Sequence, residues 1–216
     1  MRALSSLLLL SLLFLHGCLQ IELPREELSQ EELLLLQRFI PRQPTTPVYP
    51  LSATFDDEIE LLGLDIQGEL VPGEEVRIVW YWRALSEVQR DWKIFVHLDS
   101  LESPLRHNLD HYPLQDPFEA RLRTYHLPPG EIIADLQRFT LREDFPPGQA
   151  RLFVGLFQGS ERARVSPSSD GNRRFSGPDL TIRAEPAPGI DVLPVQIRDG
   201  IRREIRRRVD LQGGSP

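Results

Sequence analysis

From Phe55 to Ala184 the chain alternates apolar and polar residues in short runs separated by turn residues. In the run 76–82, Val76, Ile78, Trp80 and Trp82 fall on one face and Tyr81 on the other. In 92–98, Ile94, Val96 and Leu98 share a face, with Phe95 and His97 opposite. Leu152, Val154 and Leu156 repeat the pattern in 150–157, and 58–67, 132–141, 162–165 and 180–183 supply further candidates. Period-two alternation of this kind marks half-buried strands. Pro-Gly pairs at Pro72-Gly73 and Pro147-Gly148, and the run Ser169 to Asn172, carry turn chemistry between them. No long helical period interrupts the series. The pattern predicts an all-β domain over residues 51–185, an antiparallel β-sandwich of immunoglobulin-like or jelly-roll-like type. The stretch from Ser100 to Gly130 has no clear period, and a loop that long is either functional or holds strands of its own.

The flanks read differently. Residues 18–50 start with a short helix, opening at Pro24 or at Ser29, whose spacing to Glu32 is that of a capping box. Leu33 to Leu36, Phe39 and Ile40 are apolar, and the run PRQPTTPVYP (41–50) then reads as an extended linker. Two arrangements fit: a stalk that lifts the domain, or a helix packed on it. In the C-terminal tail, 186–216, Ile197, Ile201, Ile205 and Val209 recur every four residues and predict a short helix. Its polar side holds Arg198, Arg202, Arg203, Arg206, Arg207 and Arg208.

The first residues are a targeting signal. Arg2 precedes an apolar run from Leu7 to Leu15, which is too short to span a bilayer, since that takes roughly 20 residues. The run ends in Leu15-His16-Gly17-Cys18 and resembles the lipobox of bacterial lipoproteins. The resemblance implies cleavage between Gly17 and Cys18, removal of residues 1–17 and acylation of Cys18. Two or more acyl chains make a stable anchor where one is marginal. Cys18 is the sole cysteine, so it has no internal disulfide partner, and acylation would remove an otherwise free thiol. Leu19 follows it, which under the sorting rule of such lipoproteins directs the chain to the outer membrane. The expected location is therefore the bacterial cell envelope, lipid-anchored through Cys18.

Charge narrows the partners. The 25 basic and 32 acidic residues give a net charge of −7, and losing Arg2 with the signal deepens it. That balance disfavours nucleic acid as a partner. The arginine-rich tail is a basic island on this acidic chain, suited to an acidic partner protein, to the domain's own surface or to anionic lipid.

The strand series EIELLGLDI, VPGEEVRIVWYWRAL, RDWKIFVHLDS, PPGEIIADLQRFTL and PPGQARLFVGLF resembles a β-sandwich module found at the C-termini of some bacterial membrane glycosyltransferases and in stand-alone lipoproteins. The resemblance implies a sandwich in an envelope setting and carries over no catalytic residues.

Three constellations hold candidate chemistry. His97, Asp99, His107, Asp110 and His111 fall within fifteen residues and offer imidazole and carboxylate ligands to a divalent metal. The competing reading is a polar loop beside a hydrogen-bonded strand histidine. Tyr81, Trp92 and Tyr125 are candidates for stacking on sugar rings, against a core role like that expected of Trp80 and Trp82. Asp170-Gly171-Asn172 has oxygen ligands for Ca²⁺ but suits a hairpin turn better. The domain holds no cysteine nucleophile, Gly-x-Ser-x-Gly, phosphate-binding loop or HExxH. The sequence thus predicts a membrane-anchored, non-catalytic module without a cofactor, engaged in protein interaction or envelope assembly, with Arg202, Arg203, Arg206, Arg207 and Arg208 as docking residues. A carbohydrate-binding lipoprotein is the alternative and a metal-dependent enzyme the third reading.

Overall fold

The computed structural model describes residues 25–43, 45–119, 122–167 and 171–186. The signal, Cys18, Asp170 and the basic tail, with its expected helix, lie outside them. Among the described residues, ten strands follow a short helix: β1 (Tyr49–Phe55), β2 (Ile59–Gln67), β3 (Glu75–Ala84), β4 (Lys93–Ser100), β5 (Arg106–Asn108), β6 (Ile132–Thr140), β7 (Gly148–Gln158), β8 (Glu161–Arg162), β9 (Val165–Ser166) and β10 (Phe175–Ile182). Helix α1 is Gln30–Leu36, and α2 is the single turn Gln115–Phe118.

The strands form two antiparallel sheets. The first runs β6-β3-β2-β1-β9 and the second β10-β7-β4-β5, with β8 beside β7. The alternation read from the sequence explains the burial. Val76, Ile78, Trp80 and Trp82 of β3 are buried, as are Ile94, Val96 and Leu98 of β4 and Leu152, Val154 and Leu156 of β7. Inward residues of both sheets belong to one hydrophobic cluster. Removing each such side chain from water stabilises the fold by about 1.5–3 kcal/mol.

Two strands were not evident in the pattern. β1 begins at Tyr49, inside the stretch read as linker. Pro50 pairs with Gly63, the register shifts before Ala53, and only Thr54 and Phe55 pair with β9 on the other side. A proline lacks an amide to donate, so it is tolerated where the second edge of a strand is open. β5 lies inside the 100–130 stretch and extends the second sheet beyond β4.

The N-terminal segment packs on the domain. Ser29 and Glu32 form the expected capping box, with Glu32 N donating to Ser29 Oγ at 3.2 Å and Ser29 N to Glu32 Oε2 at 2.8 Å. Seven residues of helix are not stable alone. Leu36 enters the core, while Leu28, Leu35, Phe39 and Ile40 pack against it. Arg25 donates to Glu87 Oε1 (3.2 Å) and to Gln89 O (3.0 Å) and Oε1 (2.8 Å). His126 Nε2 meets the Glu26 carbonyl at 2.6 Å. Of the two arrangements open in the sequence, the packed helix is the one found.

Candidate functional site

A cleft of about 310 Å³ opens between β5 and β6, the edge strands of the two sheets, with α2 at its rim. Its floor is polar and buried. On β6 the odd positions face inward, and two of them are Gln137, which lines the cleft, and Asp135, which is fully buried behind it. Opposite stands His111, 3% exposed, held to β4 by paired backbone bonds with Ile94.

A local substitution in the β4 ladder builds this floor. Leu109 N donates to Val96 O at 2.8 Å, but Val96 N donates to Asp110 Oδ1 at 3.0 Å rather than to a backbone carbonyl. The Leu109 carbonyl is thereby free to accept from Gln137 Nε2 at 2.5 Å and from His111 Nδ1 at 3.1 Å. Gln137 Oε1 accepts from Trp80 Nε1 at 2.9 Å, His111 Nε2 lies 3.0 Å from Asp135 Oδ2, and Leu114 N donates to Asp135 Oδ1 at 2.6 Å. One chain of hydrogen bonds therefore joins β3, β6, the end of the β5 strand and the loop before α2. A carbonyl only accepts, so His111 Nδ1 carries a proton. The contact between His111 Nε2 and Asp135 Oδ2 adds a second hydrogen bond from the ring, to a fully buried carboxyl group. Breaking such a pair in the interior costs far more than its net contribution to stability.

The five residues read as a metal candidate do not converge; among the described residues no three His, Cys, Asp or Glu side chains are placed to hold an ion. His111 is engaged in the floor, and Asp110 closes the β4 ladder. His97 lies on the opposite side of β4, its Nε2 3.8 Å from Asp110 Oδ1 and its ring 5.2 Å from that of Phe95. Burial, then the Arg106 charge, holds its pKa below the usual histidine value. Asp99 is gripped by Arg106 through two bonds of 2.5 and 2.7 Å, with Arg174 at 3.4 Å. Burial pushes the Asp99 carboxyl up, but the Arg106 hydrogen bond and the two guanidinium charges hold it lower than an ordinary carboxylate. His107 packs edge-on against Phe139, and burial, then Arg142, lowers its pKa. Arginines also cover the aromatics of this face: Arg174 lies 3.8 Å over Phe153 and Arg162 lies 4.8 Å over Phe95.

The sugar-stacking candidates are placed elsewhere than a platform requires. Trp92 is 1% exposed and belongs to the core. Tyr81 does sit opposite Trp80 and Trp82, yet it is 8% exposed, because its hydroxyl turns in to Asp65 Oδ2 at 2.8 Å while Asp65 Oδ1 accepts the Val48 amide at 2.6 Å. Burial, then the Asp65 bond and charge, pushes the Tyr81 pKa well up. Tyr125 is half-buried between His126, at 4.4 Å, and the Arg25 guanidinium, at 5.5 Å. Gly171 and Asn172 are described but Asp170 is not, and the five tail arginines 202, 203, 206, 207 and 208 also fall outside the described residues.

Asp135 and Gln137 escaped the sequence reading. Alternation in IIADLQRFT assigns Ile132, Ala134 and Leu136 to the core as readily as Ile133 and Phe139, and the polar pair then looks outward. The usable signal lay in Trp80, whose buried indole N–H needs an acceptor from a neighbouring strand.

No family model and no curated protein matches the chain. Several solved structures are similar to it. The C-terminal domain of Wzt is 12% identical, covering 67% of this chain and 92% of its own, with a TM-score of 0.41. A Niemann-Pick type C2 protein from the Japanese carpenter ant is 7% identical, covering 65% and 100%, with a TM-score of 0.41. A CARDB domain from Pyrococcus furiosus, solved with di-metal ions, is 12% identical, covering 65% and 95%, with a TM-score of 0.32.

Proposed function

We propose that this chain is a lipid-anchored envelope protein whose two sheets pack as a β-sandwich, and that it acts as a non-catalytic interaction module beside the membrane. The observation that carries the reading is the docking of residues 25–40 on the domain. Cys18 stands seven residues before Arg25, a span of at most about 25 Å when fully extended. An acylated Cys18 would thus hold the body of the protein close to the bilayer, not on a long stalk. No described helix is long and apolar enough to cross a membrane, and anchoring by acyl chains needs none. The basic tail would then engage an acidic partner protein near the same surface. The bacterial outer membrane is the location that the residue after Cys18 favours.

The test is mass spectrometry of the N-terminal peptide from detergent-extracted protein, paired with cross-linking in intact cells. The expected result is an acylated Cys18 and a protein cross-link that is lost on deleting residues 190–216. An unmodified Cys18, or a signal retained on the mature chain, overturns the anchor. A cross-link that survives the deletion overturns the tail's role.

A further inference from the structure

The cleft between β5 and β6 has a lining that assigns it a ligand class. Asn108 and Gln115, both exposed, each accept a nearby backbone amide with the side-chain oxygen, that of Asp110 at 2.9 Å and that of Tyr112 at 3.1 Å. Their NH₂ groups make no hydrogen bond among the described residues and remain as donors at the cleft. The Thr140 hydroxyl is likewise unused, and Thr140 and Gln115 are exposed. Across the rim, Arg138 Nε lies 3.3 Å from Asp116 Oδ2, so guanidinium and carboxylate stand side by side with their charges balanced. The ring of Phe139, braced edge-on by His107, supplies an apolar wall.

We infer that this cleft binds a neutral sugar ring of a glycan, held by Asn108, Gln115 and Thr140, with the Asp116–Arg138 pair and Phe139 completing the contact. Three physical points lead there. A hydroxyl both donates and accepts, so it is served by a lining that interleaves amide donors, a hydroxyl, a carboxylate and a guanidinium. A charged ligand would be attracted by one member of the Asp116–Arg138 pair and repelled by the other, and Asp110, the other carboxylate of the lining, is turned to the Val96 amide, so an ion meets no free counter-charge. An aromatic wall next to these groups suits the C–H face of a pyranose, and the volume lies at the lower end of the range for small-molecule sites, about 300–1,000 Å³. The buried floor makes the site rigid: the chain from Trp80 to Asp135 fixes both edges without contributing groups to the ligand. This inference does not depend on the acylation of Cys18, and the chain carrying Cys18→Ser, which cannot be acylated there, tests it alone.

The experiment is an amide-resolved NMR titration of that chain with glucose, galactose, mannose and N-acetylglucosamine, with their β-linked disaccharides, and with inorganic phosphate. The expected result is saturable shifts confined to residues 107–116 and 136–140 for at least one neutral sugar, tighter for its disaccharide. Asn108→Ala with Gln115→Ala should weaken that binding by about tenfold or more, a loss of two hydrogen bonds to the ligand; it also removes the acceptors of the Asp110 and Tyr112 amides, so the thermal midpoint should fall modestly while the spectrum stays folded. Phosphate binding in place of sugar, shifts that persist in the double variant, or a cleft unmoved by the whole panel each overturn the assignment. A variant that loses its folded spectrum is replaced by Thr140→Val, which keeps the shape and removes the hydroxyl, and the same readings apply.

Discussion

His111 Nε2 and Asp135 Oδ2 stand 3.0 Å apart in the interior, one supplied by the strand path beyond β5 and the other by β6. They tie the free edges of two separate sheets. Replacing Asp135 with Ala leaves His111 Nε2 buried without its partner and strips the acceptor from Leu114 N. The expected loss is about 3–5 kcal/mol in urea unfolding. Changing both partners together, His111→Leu with Asp135→Leu, should cost clearly less than the Asp135 change alone, since the ring is then not left buried without a partner. A single variant within 1 kcal/mol of the parent would show that the pair does not tie the edges.

Tyr81 should report on alkaline stability. Its pKa is raised by burial, then by Asp65, so the folded state keeps a proton that the unfolded chain releases near pH 10. The stabilisation is fully present below that pH and is lost as pH climbs toward the folded-state value. Phenolate absorbance should show the Tyr81 phenolate appearing only with unfolding. Tyr81→Phe should remove this late step and cost about 1 kcal/mol at neutral pH.

His97 and His107 set the acid side. Both pKa values are lowered, by burial before anything else, so each is neutral when folded at a pH where the unfolded chain already takes up a proton. The stabilisation is complete above about pH 6.5 and drains away as pH falls through the folded-state values. NMR titration should show both rings protonating below an ordinary histidine. His97→Gln should flatten the decline of the urea midpoint between neutral and mildly acid pH. An unchanged slope would clear His97 of that role.

How far the sequence told this story depends on where polar groups sit. Wherever an inward position was apolar, as at Ile78, Trp80, Val96 or Val154, period-two alternation named the strand and its buried face correctly. It failed on β1 because Pro50 and the neighbouring prolines mimic a linker, and only pairing with Gly63 reveals the strand. It named β6 as a strand but did not show its buried polar positions, because Asp135 and Gln137 are buried against partners distant in sequence: His111, the Leu109 carbonyl and Trp80. The five clustered histidines and aspartates were near in sequence, but adjacent positions on a strand point to opposite faces, so His97 and the floor residue His111 lie on different sides of β4. Tyr81 was assigned to the right face, yet its exposure turned on Asp65, sixteen residues away.

The N-terminal segment offers the last prediction. Arg25, His126 and the buried Leu36 hold residues 25–40 against the body, whereas a flexible stalk would have none of these contacts. The helix is too short to persist without that packing, so its stability belongs to the domain. Leu36→Ala should therefore lower the thermal midpoint of the whole protein, with a cost of about 2–5 kcal/mol for the cavity left in the core. Ser29→Ala should remove the capping bond for about 1 kcal/mol. Limited proteolysis separates the two arrangements directly. Arg25 should resist trypsin in the parent by its bonds to Glu87 and Gln89, and the exposed Arg38 by the packing of Leu36 and Phe39 on either side of it, and both should become early cleavage sites in Leu36→Ala while the strands stay intact. Rapid cleavage at Arg38 in the parent, with no change in midpoint on Leu36→Ala, would return the segment to the role of a tether.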